Sequence, residues 1–183
     1  MNSYLESSIK QFEYYKILGD KTFDQLTFEE LQNEFTKDSN SIAIIVKHIV
    51  GNMLSRWTNF LTEDGEKEWR MRDEEFIDSF HSKEELINAW NEGWDCLFTA
   101  IRPLKNEDLE RIIYIRNQGH TVVEAINRQM MHYAYHVGQI VFLGKLTKGK
   151  NWQSLSIPRG KSKDYNQEKF AKDKGKRHFT EDL

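Results

Sequence analysis

A chain of 183 residues, 38% of them hydrophobic and 13% aromatic, can bury a single core without disulfides or a structural metal. Its formal net charge of −3 gives no general attraction to nucleic acid, and its single cysteine excludes an intrachain disulfide and a cysteine-rich metal site. Two prolines and ten glycines leave little room for the many turns of a sandwich or barrel, which favours a mainly helical domain.

The apolar runs of the chain are short. None approaches the ~20 residues that a membrane-spanning helix needs, and the segment Met1–Glu6 lacks the apolar region of a signal peptide. We therefore expect a cytoplasmic protein without a membrane partner.

The first predicted helices lie before residue 36. Apolar residues at three- and four-residue spacing in Tyr4–Leu18 predict an amphipathic helix that ends near Gly19. The segment Thr27–Glu30 has the form of a capping box, in which the first and fourth residues bond each other's backbone N–H. It predicts a short helical turn through Phe35.

A longer helix follows, from Ser41 to about Phe60, with Ser39 or Asn40 as its cap. On this helix Ile44, His48 and Asn52 form a line beside the main apolar stripe. The residues of that stripe are Ile42, Ile45, Ile49, Met53 and Trp57.

The pattern breaks at Asp64-Gly65, and the charged segment 66–75 is predicted to be an ordered loop. Its anchor would be Trp69, because so large an apolar side chain is costly to leave in water. A second capping box at Ser82–Glu85 then starts a helix through Ile101, which Pro103 helps to terminate.

The lone cysteine, Cys96, lies inside that helical pattern. A buried, inert thiol is the expected state of such a residue, in preference to a nucleophile.

The last third of the chain predicts a hairpin, a long helix and a tail. The isoleucine-rich segment Leu109–Tyr114, followed by Asn117–Gly119, indicates a short β-hairpin. A third capping box, Thr121–Glu124, opens a helix to about Leu146. From Arg159 onward eight Lys/Arg stand against five Asp/Glu with little apolar content, so we expect an extended or partly disordered tail.

Together these elements predict an all-α protein. Its domain, residues 1–158, would be an up-down four-helix bundle with a short β-hairpin before the last long helix, and residues 159–183 would be a polar, basic tail. Bundles of this kind build metal sites from side chains on facing helices, and here the second and fourth long helices would face each other.

The histidines point to such a site. His132 and His136 are four residues apart on the last helix and can share one ion, and His48 on the second long helix offers a third nitrogen. Three imidazoles leave coordination positions open for water or substrate. The alternative for each histidine is a neutral core imidazole with one hydrogen bond. Gln129 and Gln139, about one turn to either side of the pair, add polar groups that a core stripe does not need.

Other catalytic chemistry has little support. No Gly-x-Ser-x-Gly elbow and no phosphate-binding glycine loop occurs in the sequence. The remaining histidines, His81, His120 and His178, are expected at the surface.

Four segments in combination resemble the DinB/YfiT-like superfamily, and in particular an uncharacterised bacterial DUF1572-like branch of it. The resemblance covers most of the chain from Ser39 to Gly160. The segments are Lys47–Trp57, Asp64–Asp73, Asn127–Leu143 and Trp152–Gly160.

The resemblance implies a four-helix bundle, often a homodimer, in which three histidines bind a divalent metal. The family positions fall on His48, His132 and His136. Zinc or nickel is the expected metal, with iron or manganese as alternatives, since three imidazoles suit several divalent ions.

Characterised relatives in the superfamily include thiol-dependent isomerases and S-transferases. The resemblance therefore implies a metal-dependent enzyme that acts on a small-molecule substrate with a low-molecular-weight thiol as cosubstrate, or a related hydrolase. A metal held by neutral imidazoles keeps its full charge and lowers the pKa of a bound thiol or water. The alternative is a non-catalytic metal-binding or stress-related dimeric protein.

Several polar residues are candidates for substrate contacts. Asn52 and Gln139 have the helical spacing to orient a substrate beside the histidines. Arginines bind carboxylates bidentately, which makes four of them candidate anchors for an acidic substrate. These are Arg56, Arg70, Arg72 and Arg159.

Nucleic acid is not an expected partner. The basic tail contains only three interleaved aromatic residues, Tyr165, Phe170 and Phe179. This pattern favours a solvated tail over a stacking surface for bases.

Overall fold

The structure, a computed structural model, describes residues 3–182; residues 1, 2 and 183 lie outside the described part. Within that range the chain is mostly helical and has one antiparallel hairpin. The elements are α1 (Ser3–Asp24), α2 (Phe28–Leu31), α3 (Ile42–Trp57), α4 (Lys83–Ile101), β1 (Ile112–Ile115), β2 (Gln118–Thr121), α5 (Val122–Lys148) and α6 (Ser162–Phe170). Short 3-10 turns occur at Asp73–Phe76, Asn106–Asp108, Gly149–Asn151 and Phe179–Asp182.

The four long helices share one core. Helix α1 packs against α5 and α4, and α3 packs against α4 and α5. The pairs α1–α3 and α4–α5, which a simple up-down order would make neighbours, have little contact in the described chain. Large aromatic side chains fill the centre, and the edge-to-face contacts among them suit their ring quadrupoles. They are Phe12, Phe23, Trp90, Trp94 and Tyr133. Among the described helices, none combines the length and apolar character needed to cross a bilayer.

Helix α1 runs past the predicted end at Gly19 and reaches Asp24. Gly19 is a packing residue and not a helix terminus, because a Cβ at this position would overlap the Trp90 ring. The Trp90 indole N–H donates to Asp20 Oδ1 one residue later, at 2.8 Å. The tryptophan of α4 therefore fixes how closely α1 approaches.

The start of α2 agrees with the sequence, but the end of α2 and the cap of α3 do not. The capping box at Thr27–Glu30 is confirmed, yet α2 stops at Leu31 and does not continue through Phe35. Residues 33–38 are all exposed, so they have no apolar face to bury against the bundle. The cap of α3 is Ser41, and not Ser39 or Asn40 as predicted, because the Ser41 hydroxyl accepts from the backbone N–H of Ile44 at 3.2 Å.

Helix α3 also ends earlier than predicted, at Trp57 and not at Phe60. Two residues later Asn59 has a φ of +50°, and this left-handed conformation turns the chain out of the helical path.

The bounds of α4 are those that the sequence predicts. Ser82 accepts from the N–H of Glu85, and the helix ends at Ile101 before Pro103. The reciprocal half of the predicted capping box is absent, because the Glu85 carboxylate accepts from the N–H of His81 instead, at 2.8 Å.

The predicted hairpin is confirmed, with Ile112 opposite Thr121 and Ile115 opposite Gln118. Its turn comes earlier than expected, at Arg116-Asn117, where φ is +57° and +59°. Two positive φ values are the requirement of the tight turn whose twist matches antiparallel strands. The Asp64 carboxylate accepts from the backbone N–H of both turn residues, each at 2.8 Å, and so holds the hairpin against the loop after α3.

Helix α5 begins at the predicted capping box, which is confirmed, and extends to Lys148. It is the longest helix of the described chain and carries His132 and His136.

The prediction for Trp69 is wrong, because its side chain is 56% exposed. The loop is ordered by polar contacts instead. Lys67 pairs with Glu63 at 2.6 Å, and Arg70 pairs with Glu75 at 2.7 Å. The size of a side chain in a loop does not determine which way it faces.

The tail also differs from the prediction, since it contains α6 and a terminal 3-10 turn. Its end packs on α1: His178 Nε2 lies 3.0 Å from Ser7 Oγ, and Lys10 pairs with Glu181 at 2.6 Å. His178 is consequently half-buried and not a surface residue as expected.

Candidate metal centre

The structure brings three histidines together where α3 faces α5. One potential ligand atom from each of His48, His132 and His136 lies within 4.8 Å of the other two. The Nε2 atoms of His48 and His132 are 3.3 Å apart. The three rings pack edge to face, with centroids 4.7 to 5.4 Å apart.

The geometry of this cluster fits a metal ion. In a tetrahedral zinc site with Zn–N bonds of 2.0–2.1 Å, neighbouring ligand nitrogens lie about 3.3–3.4 Å apart. The separation of the His48 and His132 nitrogens has that value. The other ring nitrogen of His132, Nδ1, is buried and has no hydrogen-bond partner within residues 3–182.

The protonation states of His132 and His136 also suit metal binding. The pKa of His132 is lowered to about 3, mainly by burial and to a smaller extent by the neighbouring His136 and His48. Burial lowers the pKa of His136 too, although the hydrogen bond that this ring donates to Gln139 opposes the shift. Both rings are therefore neutral at pH 7, and the neutral imidazole is the form that binds a metal.

Glu75 orients His48. Its Oε2 accepts from Nδ1 of His48 at 2.9 Å, so that Nε2 of this ring is left as an acceptor facing His132. Arg70 donates to both oxygens of the same carboxylate, at 2.7 and 2.9 Å. Burial would raise the pKa of Glu75, but the hydrogen bonds from His48 and Arg70 outweigh it and lower the pKa. A carboxylate in this position is the usual outer partner of a metal-binding histidine.

The position of Glu75 depends on Gly51. A Cβ at residue 51 would overlap Oε1 of Glu75 and lie 2.8 Å from its Cδ. On the other side, the ring of Phe76 stacks on His48 with centroids 5.3 Å apart. Because Gly51 has no side chain, α3 leaves room for the carboxylate of Glu75.

The two predicted substrate-orienting residues have different environments. Gln139 Oε1 lies 3.0 Å from Nδ1 of His136, so Gln139 orients that ring. Asn52 is buried and accepts from the hydroxyl of Tyr133 at 3.1 Å, and this hydroxyl accepts from the indole N–H of Trp57 at 3.1 Å. Burial raises the pKa of Tyr133, so it stays a hydrogen-bond donor.

A cavity of about 230 Å³ adjoins the cluster on the side of His48 and His132. Its lining is polar and includes five arginines. The other lining residues are Asn52, Gln129, Arg56, Arg70, Arg72, Arg116 and Arg128.

Three of the four predicted arginine anchors, Arg56, Arg70 and Arg72, line this cavity. The fourth, Arg159, is exposed in the segment after α5 and is not among the lining residues. The sequence patterns did not single out Arg116 or Arg128. Arg128 lies four residues before His132, a spacing that could have identified it; Arg116 belongs to the hairpin turn, and only the fold brings it close.

Glu75 and Tyr133 were also not singled out. Glu75 follows His48 by 27 residues in a loop with no periodic pattern, and nothing in the sequence separates it from the neighbouring Glu74. Tyr133 lies next to His132, but its bond to Asn52 spans 81 residues.

A larger, mainly apolar groove of about 840 Å³ lies elsewhere, between the end of α3 and α4. No histidine is among its lining residues in the described chain, and its thiol, Cys96, is half-buried. Burial raises the pKa of Cys96, which keeps the thiol protonated and unreactive. The cavity lined by candidate metal ligands and arginines is therefore the smaller of the two.

Comparison with known proteins gives a family and no activity. No curated protein matches the chain. The family described as "Protein of unknown function (DUF1572)" matches residues 1–161, which include α1 to α5, the three histidines and every residue that lines the arginine-rich cavity. The chain therefore belongs to the DUF1572 family of proteins of unknown function.

Proposed function

We propose that this protein is a divalent-metal-dependent enzyme, most specifically a thiol S-transferase, built on a four-helix bundle of the DinB-like type. One observation carries the proposal: three imidazole nitrogens from two helices lie within 4.8 Å of one another beside an open, polar cavity.

His48, His132 and His136 would hold the ion, with zinc or nickel first and iron or manganese as alternatives. When bound, such an ion supplies a Lewis acid that lowers the pKa of a coordinated thiol or water to near neutrality. Three neutral imidazoles leave its charge uncompensated and provide no fourth ligand, as in catalytic zinc sites.

The surrounding residues have separate tasks in this proposal. Glu75 holds the proton of His48 on Nδ1, and Gln139 fixes the ring of His136. Asn52 presents its amide to the cavity while its carbonyl oxygen accepts from Tyr133. The arginines that line the same cavity provide donors for a substrate. These side chains bind and orient; no carboxylate lining the cavity is needed as a base.

The cavity separates this proposal from the non-catalytic alternative. A closed structural site would have its ligands covered by protein, whereas His48 and His132 both line a space that a small molecule can enter. A hydrolase would use the same centre with water in place of the thiol, so the two enzyme classes differ in the assay and not in the residues.

Metal content tests the first step. Untagged protein is stripped with chelator, loaded with Zn²⁺, Ni²⁺, Fe²⁺ or Mn²⁺ in turn, and measured by elemental analysis after gel filtration. We expect one ion per chain in the wild type and in the control His81→Ala, whose histidine is exposed, and none in His132→Ala. Equal metal content in all three proteins would contradict the ligand assignment.

Activity tests the second step. Transfer of a low-molecular-weight thiol to an electrophile, and hydrolysis of an ester in parallel, are followed with the same proteins. We expect transfer only in the metal-loaded wild type and in His81→Ala. Hydrolysis without transfer would replace the S-transferase by the hydrolase, and equal rates with and without metal would leave the non-catalytic protein.

The resemblance also implies a homodimer, and the short apolar runs of the sequence favour a cytoplasmic location; both stay predictions. Sedimentation equilibrium of the full chain at micromolar concentration measures the first directly.

A further inference from the structure

The charges around the small cavity are not balanced. Five guanidinium groups line it, whereas the carboxylates paired with them among the described residues are Glu66 and Glu75. A third acid, Asp64, lies near Arg56 but uses its oxygens on the backbone N–H groups of the hairpin turn. Five positive charges therefore face one small space with two paired negative charges.

The two inner arginines are buried and partly satisfied. The side chains of Arg56 and Arg70 are 6% and 2% exposed, and they pair with Glu66 and Glu75 respectively. Arg56 also donates to the carbonyl of Gly65. Its Nε, however, is buried without a hydrogen-bond partner in the part of the chain that the structure describes. Buried donors of this kind are normally bonded, so a missing acceptor is implied.

The outer arginines are less satisfied still. Arg116 shares the carboxylate of Glu66 with Arg56. Neither Arg72 nor Arg128 has a carboxylate partner among residues 3–182, and Arg128 contacts the imidazole of His120 at 3.2 Å. Both are exposed and line the cavity, so their donors are available to a molecule that enters it.

An anion would resolve this imbalance. Like charges at the walls of a cleft repel one another and raise the local concentration of anions. Guanidinium groups offer paired N–H donors that match the oxygens of a carboxylate or a phosphate. Protein neighbours meet these requirements for Arg70 but not for Arg72 and Arg128.

We propose that this cavity is the anion-binding subsite of the substrate, and that the substrate is a compact organic acid or phosphate ester. Arg72 and Arg128 receive its carboxylate or phosphate group at the mouth, and Arg56 provides the inner donor. The remainder of the molecule lies towards His48 and His132. A volume of about 230 Å³ is below the range of roughly 300–1,000 Å³ for drug-sized ligands, which restricts the occupant to a small molecule.

The claim that the bound anion is a substrate rests on the proposed function. Anion binding itself can be measured without metal. Isothermal titration calorimetry at pH 8 with inorganic phosphate and with succinate uses the chelator-stripped protein and the zinc-loaded protein in parallel. The variants are Arg72→Gln and Arg128→Gln. The controls are Arg111→Gln, which is exposed away from the cavity, and Arg159→Gln, which removes the predicted anchor outside it.

We expect saturable binding of at least one probe to the wild type, weakened about tenfold or more by each cavity variant, because one hydrogen bond to a charged group is lost. Both controls should bind as the wild type does. Tighter binding of phosphate assigns a phosphate ester, and tighter binding of succinate assigns an organic acid. Circular dichroism of each variant verifies that the exposed substitutions leave the helices intact.

Two results would overturn the inference: no binding of either probe, or equal affinities in the wild type and in both cavity variants. The two proposals fail separately. Zinc binding without anion binding removes only the anion subsite, whereas anion binding in a protein that takes up no metal keeps the subsite and removes the metal-dependent enzyme.

Discussion

Two lines of side chains run along α3, one residue apart, and they have opposite chemistry at the same depth. Ile49 and Met53 are completely buried among apolar side chains. His48, Asn52 and Arg56 are buried almost as deeply, at 7%, 6% and 7% exposed, but each needs a partner from another part of the chain.

The partners of the polar line come from two places. In the loop after α3, Glu75 bonds His48 and Glu66 pairs with Arg56, and on α5 Tyr133 bonds Asn52. Burial alone therefore does not distinguish core from site. A polar group at this depth costs free energy unless it is bonded, and a chain keeps such a line where function needs it. The apolar line is expected to set stability and the polar line to set chemistry.

The largest effect should come from the apolar line. Met53→Ala removes a fully buried side chain and leaves a cavity, so we expect a loss of about 2–5 kcal/mol in the free energy of unfolding. Guanidinium denaturation measures it, and the folded fraction should still bind one metal per chain. The control Met71→Ala, at a site 66% exposed, should change stability by about 0.5 kcal/mol or less. Similar losses from both variants would contradict this division.

The second effect concerns metal affinity. Glu75→Gln should weaken it about 10- to 100-fold, because the neutral amide no longer fixes and polarises His48. Gly51→Ala should act in the same direction by displacing the carboxylate. Competition with a chromophoric chelator measures both, and Glu74→Gln, an exposed neighbour, is the control. If Glu75→Gln bound metal as tightly as the wild type, the conclusion that this carboxylate orients His48 for metal binding would be wrong.

A third effect appears in the pH dependence of the metal-free protein. In the folded chain the pKa of His132 is about 3 and that of His136 is lowered, while an unfolded histidine titrates near ~6.5. Below that pH the unfolded state binds protons that the folded state does not. The free energy of unfolding should therefore fall as the pH drops from about 6.5 towards 3.

The lowered pKa of Glu75 acts in the same direction, but only at the acidic end of that range. Urea denaturation between pH 7 and pH 4.5 isolates the histidines. His132→Gln should give a shallower slope in this window, and an unchanged slope would mean that His132 titrates normally in the folded protein.

The smallest effect is expected at Trp69. Because its side chain is 56% exposed, Trp69→Ala should cost less than about 1 kcal/mol. Trp90→Ala, in the core, should cost about 3–5 kcal/mol and provides the scale. Thermal unfolding of the two variants compares them, and a midpoint shift at Trp69 as large as at Trp90 would show that this loop is part of the core.

The elements that sequence predicted best are specified locally. The capping boxes at Thr27 and Thr121 act over four residues, and the structure has both helix starts where they were expected. The four-residue spacing of His132 and His136 is likewise local and places the two rings together. The end of α1 was not predictable in this way, because Gly19 is fixed by Trp90 from another helix.

The parts that sequence missed are specified by contacts between distant segments. His48 could be named only because its helix and the resemblance both indicated it. Glu75 and Arg116 lie in a loop and a turn, whose positions follow from tertiary contacts and carry no periodic signal. The tail was expected to be extended because its composition is polar, and its contacts with α1 could not be read from composition.

The contact between Asp64 and the hairpin turn has a consequence for how the candidate metal centre forms during folding. Asp64 lies 52 positions before Arg116 and 53 before Asn117 in the sequence, and His48 lies 84 positions before His132. Helices form from local contacts, whereas pairings of such long sequence separation form late in folding because a large loop must close first. A chain with its full helical content can therefore lack the cavity and the histidine cluster altogether. Refolded protein could pass a test of helicity and still lack the histidine cluster, so correct refolding should be judged by metal uptake and not by the far-ultraviolet spectrum.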